Sequence, residues 1–323
     1  MEKVRWGFIG AGGIAQRALF PAISKSSYGE VYAVASRDAE KAKVLSPNGR
    51  IYTSYDDLLA DDGVEAVYIS LPNAFHLPWA IKAMKAGKHV LCEKPLGMNA
   101  AEVREAVAVS RSTDRIFVEA SWNRWHPRTQ RIQEIVAEGK LGKIKRIRSA
   151  FTYDGLDDGN IRLDPTIGGG VLYDLGPYSV AAPLWIMGFP KVKDLTARVV
   201  WSKSGVDTTT RINYTVDGAE AETLSSCQIQ NSLWLIIEGT KGTLRTGGND
   251  SFNSHNAPST LILETKDKTK VEHFDACDPY QLMSDAFARR VQGKKDWIMP
   301  LAESIRFAEL FDAGFAAMGR PVL

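Results

Sequence analysis

The sequence predicts an α/β N-terminal Rossmann domain, residues 1–121, followed by an α+β domain, residues 122–323, with a large, mostly antiparallel open sheet. Two patterns predict this division. Through about residue 120, apolar strands alternate strictly with helices, as in a doubly wound parallel sheet. Beyond that point, strand-like alternations separated by turn residues follow one another, and two helices close the chain. Whether those last helices pack back on the first domain is left open.

Buried apolar runs and helix caps define the elements of the first domain. The run 31–36 is continuously apolar up to its last residue, which suits a parallel strand covered on both faces. Ser54, with Asp57 three residues later, predicts a capped helix start, and Asn99 predicts another. The expected strands begin at Val4 and then span 31–36, 50–53, 66–71, 89–92 and 116–119, and the expected helices span 14–24, 38–45, 77–86 and 100–112.

In the second domain the pattern changes to alternation with a period of two. One amphipathic helix precedes this region and ends at Gly139. Turn signals such as Asp217-Gly218 and Gly247-Gly248 separate the later runs. We expect a helix over 126–138, strands over 144–151, 192–201, 208–216, 221–230, 232–238, 242–246, 259–264 and 270–274, and helices over 280–292 and 301–318.

The first strand leads into a glycine-rich turn of the pattern G-x-G-x-x-A. Gly10 allows the tight turn, Gly12 lets the main chain approach a pyrophosphate, and Ala15 lets the next helix lie on the strand. The amides at the start of that helix, from Gly13 and Ile14, attract phosphate groups. The stretch therefore predicts a dinucleotide site.

The choice of cofactor depends on the end of the second strand, Ser36-Arg37, which Asp38 follows. An acidic residue at this point accepts hydrogen bonds from the ribose of NAD, whereas hydroxyl and cationic donors bind the 2′-phosphate of NADP. The arginine head group can bind phosphate and stack on adenine. We therefore expect NADP(H) in preference to NAD(H), and Asp38 keeps NAD as the alternative.

A second polar cluster follows the fourth and fifth strands, at the sheet edge where such folds bind ligands. Lys94 matters most, because a lysine there can exchange a proton with a reacting hydroxyl. The alternative for Lys94 is an ion pair with Glu93, and for His76 a place at a helix N-terminus. The cofactor contacts expected here are Leu71, Pro72, Asn73, His76, Glu93 and Lys94.

Composition argues against several classes of protein. The net charge of +2 implies binding neither to nucleic acid nor to a membrane surface. The apolar stretch 171–189 contains an aspartate and two prolines and is too short to span a bilayer. Three cysteines without a C-x-x-C pattern argue against a disulfide framework, and the five histidines lack metal-ligand spacing. We expect a cytoplasmic protein without a bound metal.

Several segments, in order along the chain, resemble the Gfo/Idh/MocA oxidoreductase family. They are the glycine turn, Pro72-Asn73-x-x-His76, the tripeptide Glu93-Lys94-Pro95 that marks the family, the link 138–142 and the glycine-rich segment 168–178. The resemblance covers essentially the whole chain. It implies an NAD(P)-dependent oxidoreductase whose open sheet is the subunit interface of a dimer or tetramer.

The resemblance also implies roles for individual residues. Lys94 matches the family's catalytic and substrate-binding lysine, and Glu93 the acid beside the cofactor. Asp174 matches the aspartate that contacts substrate or orients its neighbour. Tyr178 stands where many members have the histidine of D-x-G-x-H. This departure resembles the dimeric dihydrodiol dehydrogenases and some sugar ketoreductases, in which a tyrosine takes the proton-transfer role.

Residues 118–127 show a second similarity to the dihydrodiol dehydrogenases. By this similarity Trp122, Arg124 and Trp125 wall the substrate pocket; an equal alternative is that they form core between the domains. In the segment that follows the second domain's first strand, Arg162 and Asp164 are candidate contacts for substrate hydroxyls.

Together with the resemblance, these residues imply an NADP(H)-dependent oxidoreductase acting on a carbonyl or hydroxyl carbon of a sugar or sugar-like substrate. Lys94 and Tyr178 would handle the proton. A trans-dihydrodiol or dicarbonyl dehydrogenase-reductase is the alternative within chemistry. A non-catalytic NADP(H)-sensing protein is the rival from another class, and the joint presence of Lys94, Asp174 and Tyr178 argues against it.

Overall fold

We describe a computed structural model of the chain, over residues 2–45, 50–157, 159–252 and 254–319. The chain divides into two compact units. The first comprises Met1–Trp122 and Asp278–Ile305, and the second comprises Asn123–Cys277 and Arg306–Leu323. Each unit contains one of the two sheets found in the described ranges. The predicted fold class is confirmed, because the first sheet is parallel and the second mostly antiparallel.

The elements follow the predicted order. The strands are β1 Val4–Ile9, β2 Gly29–Ala35, β3 Ile51–Tyr52, β4 Ala66–Ile69, β5 His89–Cys92, β6 Phe117–Glu119, β7 Ile144–Asp154, β8 Val192–Trp201, β9 Asp207–Val216, β10 Ala219–Ser226, β11 Gln228–Gly239, β12 Gly242–Thr246, β13 Ser259–Thr265 and β14 Thr269–Phe274. The helices are α1 Phe20–Lys25, α2 Ala39–Val44, α3 Tyr55–Ala60, α4 His76–Lys85, α5 Ala100–Thr113, α6 Pro127–Ala137, α7 Val171–Leu175, α8 Ala182–Ile186, α9 Pro279–Val291 and α10 Leu301–Ala317.

The first unit is built on a parallel sheet of order β3-β2-β1-β4-β5-β6 in the described chain. The order of connection reverses between β1 and β4, which is the switch point where such sheets bind ligands. β1 is deeply buried, with Trp6 and Phe8 excluded from solvent. Trp6 packs against Phe287 of α9 with ring centroids 5.0 Å apart, so the chain returns to this unit after the second sheet.

Helix caps in the first unit lie where the sequence predicts them. The Ser54 hydroxyl accepts the amides of Asp56 and Asp57, which starts α3. Asn99 accepts the amide of Glu102 at 2.9 Å and starts α5. The predicted first helix is present, but the segment Ala15–Leu19 forms a π-helical turn before α1.

The second unit is built on a sheet of order β14-β13-β12-β11-β7-β10-β9-β8 in the described residues. Its strands pair antiparallel except β7 and β10, which are parallel neighbours. Along β7, Ile147 and Ser149 are buried on the face that carries α8, while Arg146 and Arg148 alternate with them on the opposite, open face. These arginines pair at 2.8 Å with Glu220 and Glu238 of the adjacent strands.

Two details differ from the prediction. The strands expected over 221–230 and 232–238 are instead separated at Cys227, and β11 is bulged between Gln228 and Ser232. The alternation continues through the break, so the pattern alone did not mark it. The short helices α7 and α8 were not predicted, since five-residue helices beside glycine and proline lack a measurable period.

The helices in the described ranges fall short of the combination of length and apolarity that a membrane span requires.

Candidate active site

The glycine turn lies at the switch point of the first sheet. Gly10 has φ +95°, and a Cβ there would lie 3.0 Å from Leu71 Cδ2 and 3.2 Å from Ser70 Oγ. Only glycine combines this conformation with so close an approach to the end of β4. Gly12 and Gly13 are exposed, and the amide of Gln16 bonds back to the Gly12 carbonyl to begin the helix. The turn therefore leaves main-chain amides open to an anionic ligand.

Arg17 is a cation at this turn that the sequence reasoning passed over. Both terminal nitrogens of its guanidinium lie 3.3 Å from the position that a Cβ on Gly13 would occupy. The guanidinium is therefore folded back over the glycine turn, where it can meet a phosphate. The only signal in the sequence was its place one helical turn after Gly13.

Ser36, Arg37 and Asp38 follow β2, and the Asp38 carboxylate is already bound to main-chain amides. Asp38 Oδ1 accepts the amides of Glu40 and Lys41 at 3.1 Å and caps α2. These bonds, the one from Lys41 foremost, lower the pKa of Asp38. The Ser36 hydroxyl accepts the Asp38 amide at 3.1 Å. Arg37 is exposed and has no carboxylate within ion-pair distance among the described residues.

His76 joins the loop after β4 to the loop after β5. Its Nδ1 lies 2.8 Å from the Pro95 carbonyl oxygen and its Nε2 lies 2.8 Å from the Leu71 carbonyl oxygen. The ring is 1% exposed, and burial lowers the pKa of His76. A neutral ring donates from one nitrogen only, so one of the two contacts carries the proton. In the tautomer that carries the proton on Nδ1, His76 donates to the Pro95 carbonyl and fixes the main chain next to Lys94.

Glu93 and Lys94 are held from the other side by Tyr68, a further residue that sequence reasoning missed. The Tyr68 hydroxyl donates to Glu93 Oε1 at 2.6 Å, and Glu93 Oε2 accepts the Lys94 amide at 3.3 Å. Burial, with the Glu93 charge, raises the pKa of Tyr68 well above its usual value. A tyrosine inside an otherwise apolar strand was the available signal, since a buried hydroxyl needs a partner. Lys94 itself is half-buried.

In the second unit, the glycine triplet 168–170 starts the helix that carries Asp174. A Cβ on Gly169 would lie 2.6 Å from the carbonyl oxygens of Arg162 and Asp164, and one on Gly170, which has φ +119°, would lie 2.1 Å from Asp207 Oδ1. The other carboxylate oxygen of Asp207 accepts the Leu172 amide at 2.7 Å. The buried Asp207, which the sequence analysis did not single out, therefore fixes the start of α7.

Asp174 lies beside Arg162. Arg162 Nε donates to Asp174 Oδ2 at 2.7 Å and its Nη2 donates to Oδ1 at 3.2 Å, a two-pronged ion pair. The hydroxyl of Tyr153 donates to the same Oδ2 at 3.3 Å. Asp174 is the main cause of a raised pKa at Arg162, and burial, with the Asp174 charge, raises the pKa of Tyr153.

Tyr178 stands in an aromatic cluster. Its ring centroid lies 5.3 Å from that of Phe151 and 6.3 Å from that of Phe252, and the side chain is 6% exposed. A hydrogen bond holds the main chain just after Tyr178, where the Ser149 hydroxyl donates to the Ser179 carbonyl at 2.7 Å. The ring and the main chain that follows it are thereby restrained.

The remaining predicted residues are buried or engaged locally. Trp122 belongs to the first unit and stacks on Tyr280 at 4.9 Å. Arg124 and Trp125 belong to the second, where the buried Arg124 guanidinium lies 5.5 Å from the Trp185 ring. Asp164 Oδ1 accepts two hydrogen bonds from Thr166 within one turn.

The described residues contain no group of three or more His, Cys, Asp or Glu side chains arranged to hold a metal ion.

A glycine turn at the switch point of a six-stranded parallel sheet, with cationic and hydroxyl donors after its second strand, is typical of Rossmann-fold dehydrogenases. The family model described as "Oxidoreductase family, NAD-binding Rossmann fold" matches residues 4–121, and the GFO/IDH/MocA C-terminal domain matches residues 129–245. The chain belongs to the Gfo/Idh/MocA oxidoreductase family, as its motifs indicate. It is an NAD(P)-dependent oxidoreductase acting on CH–OH or C=O groups.

Individual relatives agree in branch as well as family. The chain is 34% identical to D-xylose 1-dehydrogenase (NADP(+)) 2 of Haloferax volcanii, over 95% of each chain. It is 32% identical to trans-1,2-dihydrobenzene-1,2-diol dehydrogenase of Mus musculus, over 98% of this chain and 97% of the relative. The crystal structure of KijD10, a 3-ketoreductase from Actinomadura kijaniata, in complex with NADP and TDP-benzene, matches with a TM-score of 0.91 at 28% identity, over 98% of each chain.

Replacing Gly170 by alanine is expected to cost about 3 kcal/mol or more in the free energy of unfolding, because strain and a collision with Asp207 add together. Urea denaturation measures this loss. Gly188→Ala is the matched control, since Gly188 also has a positive φ, +75°, but a Cβ there would meet no atom within 4 Å. The control is expected to lose about 1 kcal/mol from backbone strain alone. Equal losses in the two variants would contradict the role given to Asp207.

Proposed function

We propose that the protein is an NADP(H)-dependent oxidoreductase that transfers a hydride between nicotinamide and a carbonyl or hydroxyl carbon of a sugar or sugar-like substrate. The observation that carries the proposal is that Lys94 and Tyr178 are each held in place within their own units. Contacts at Glu93 and His76 hold the lysine loop, and an aromatic cluster holds the tyrosine ring. A restrained lysine and tyrosine suit proton transfer, which requires fixed geometry.

The cofactor supplies the hydride when bound, and residues of this chain manage the proton. In the reducing direction, Tyr178 or Lys94 protonates the developing alkoxide, while the cationic lysine stabilises its charge. In the oxidising direction the same pair removes the proton. A free tyrosine has a pKa of about 10, so a nearby ammonium is what would make Tyr178 effective as a base near neutrality.

The KijD10 structures support this pair. They include variants at one lysine and at one tyrosine, each in complex with TDP-benzene and NADP. Those two positions are 84 residues apart, and Lys94 and Tyr178 have the same separation.

A hydroxyl-rich substrate suits the second unit, and we assign residues 122–323 to substrate binding and residues 1–121 to NADP(H) binding. The Asp174–Arg162 ion pair sets a carboxylate beside a guanidinium, and both groups can form more hydrogen bonds than the two that join them, so substrate hydroxyls could bind there. We propose Trp122 in the first unit, and Arg124, Trp125 and Asp164 in the second, as further substrate contacts. The xylose dehydrogenase relative supports a sugar. The mouse relative favours the second candidate, a trans-dihydrodiol or dicarbonyl substrate.

NADP(H) is preferred over NAD(H) in this proposal. The carboxylate of Asp38 accepts two amides of α2, so the acid that would bind the ribose of NAD is already engaged. Arg37 is exposed and Ser36 is adjacent, which together offer cationic and hydroxyl donors to a 2′-phosphate. Two relatives support this choice: the xylose dehydrogenase is named for NADP(+), and the KijD10 structure is a complex with NADP.

We also propose that the protein is a homodimer or homotetramer assembled through the open sheet. Leu233, Leu235 and Ile237 of β11 are buried, so Trp234 and Ile236 alternate onto the open face. These half-buried apolar residues lie between ion pairs of neighbouring strands, an apolar centre with a polar rim that suits a subunit interface.

A cytoplasmic location completes the proposal. The thiols of Cys92 and Cys227 are buried, which suits a reducing compartment.

Lys94→Ala and Tyr178→Phe are each expected to lower kcat at least about a hundredfold, because general acid–base catalysis is lost. Absorbance assays of nicotinamide oxidation or reduction, screened over aldoses, ketosugars, inositols, dihydrodiols and dicarbonyls, measure this and identify the substrate class. Fluorescence titration with NADPH is expected to show a largely unchanged Kd in both variants, because Lys94 is one of several expected cofactor contacts. Lys82→Ala and Tyr55→Phe, on α4 and α3, are controls expected to retain activity. Loss of NADPH binding in place of turnover would show that the two roles are misassigned.

Arg37→Ala is expected to weaken NADPH binding about tenfold or more and to leave NADH binding within about twofold, because only NADPH carries the 2′-phosphate. Isothermal calorimetry with each nucleotide measures both constants. Lys43→Ala, which removes an exposed cation from the nearby α2, is the control. An equal loss for the two nucleotides would place Arg37 elsewhere on the cofactor.

Trp234→Glu is expected to shift the mass in solution from a multiple of 35.6 kDa to the monomer value, because it places a charge in the apolar centre of the open face. Light scattering coupled to gel filtration measures the mass. Lys203→Glu, in the exposed turn before β9, is expected to keep the oligomer. A monomeric unaltered protein would rule out assembly through this face.

A further inference from the structure

We propose that Arg128 and Phe252 are positioning residues for Tyr178: Arg128 anchors the described residues 249–252 and 254, here called the segment, and Phe252 in that segment sets the position of the tyrosine ring. The proposal rests on the proton-transfer role given to Tyr178 under the proposed function. All of the contacts that carry it lie within the second unit.

Arg128, near the start of α6, is 1% exposed and holds the segment by four hydrogen bonds. Nη1 donates to Asp250 Oδ1 at 3.0 Å, and Nη2 lies 2.9 Å from the carbonyl oxygens of Asp250 and Ser251 and from Ser254 Oγ. A buried guanidinium is costly unless it is paired in this way. Arg128 therefore ties the described residues of the segment to α6 across 122 residues of sequence.

His126 adds a second attachment. Its Nδ1 accepts the Arg128 amide at 3.1 Å, which requires that Nε2 carries the proton and donates to Ser254 Oγ at 3.2 Å. Burial, with the charge of Arg128, lowers the pKa of His126 to about 4, so the ring is neutral at pH 7 and this tautomer persists.

The other side of the segment is tied to β11. Asn249 Nδ2 donates to the Asn231 carbonyl at 3.0 Å, and its Oδ1 accepts the Leu233 amide. Ser251 Oγ donates to the Leu233 carbonyl at 3.0 Å. The described residues of the segment are therefore attached to a helix on one side and to a strand on the other.

Phe252 is held between these attachments and is 3% exposed. Its ring stacks nearly parallel to Phe151 at 6.2 Å and lies 6.3 Å from Tyr178. Since Phe151 also packs on Tyr178, the three rings form one cluster. A displacement of the segment would remove the Phe252 contact from the Tyr178 ring, and a shift of about 1 Å at a catalytic group can cost up to about a hundredfold in rate.

The first test needs no substrate. In protein labelled with [13C]tyrosine, the ring resonances of Tyr178 are assigned by their absence in Tyr178→Phe. Phe252→Leu and Arg128→Met are expected to move these resonances, Arg128→Lys to move them less, and Phe307→Leu, a matched loss at a buried ring of α10, to leave them unchanged. Unmoved resonances in folded Arg128→Met would overturn the link from Arg128 to Tyr178.

The second test is kinetic and uses NADPH with the substrate class that the screen identifies. Phe252→Leu is expected to lower kcat about tenfold with little change in KM, and Phe307→Leu to stay within about twofold. In a Tyr178→Phe background, Phe252→Leu is expected to add less than about twofold, because its effect passes through the lost hydroxyl. Equal losses in both backgrounds would show a general structural role and overturn the inference. A Tyr178→Phe variant with full activity would instead overturn the proposed function, and the inference with it.

Discussion

In each unit, the candidate site residues depend on main chain that passes through space with no room for a side chain. At Gly10 the turn crosses the end of β4, and at Gly170 it passes the carboxylate of Asp207. After the first crossing, Gly12 and Gly13 are exposed at the start of a helical segment, and after the second, the Leu172 amide bonds to the Asp207 carboxylate at the start of α7. The positions of the cofactor loop and of Asp174 follow from these two crossings. A larger residue at either glycine would force the main chain or the facing side chains, Leu71 and Ser70 or Asp207, to shift.

Most of the fold could be predicted from sequence, because buried parallel strands are short apolar runs with distinct ends. β5 has the predicted bounds, and the caps at Ser54 and Asn99 lie where a polar side chain precedes a helical run. The predicted strand boundary was wrong where the alternation of apolar residues runs on past the end of a strand. At Cys227 the alternation continues while the chain changes strands, and the parallel pairing of β7 with β10 depends on residues about 75 positions apart, which no local pattern records.

The site divides in the same way. Motif residues such as Lys94 could be found by spacing, since the chemistry needs a given side chain after a given strand. Their supports could not be found, because each is a contact between distant segments: Tyr68 with Glu93, Leu172 with Asp207, and Arg128 with Asp250. The sequence does not distinguish an arginine that extends into solvent from one that folds back over a glycine turn. Arg17 was missed for this reason.

The cap at Asp38 bears on how this enzyme could be re-engineered. An acid at this position would serve NAD if its carboxylate faced a ribose, but here the same oxygen accepts two amides of α2. Turning it away would leave the helix uncapped, at about 1 kcal/mol, so the two uses compete for one carboxylate. With the proposed NADP(H) preference, a switch of coenzyme therefore calls for a paired change: removal of the cation at Arg37 and a new N-cap for α2.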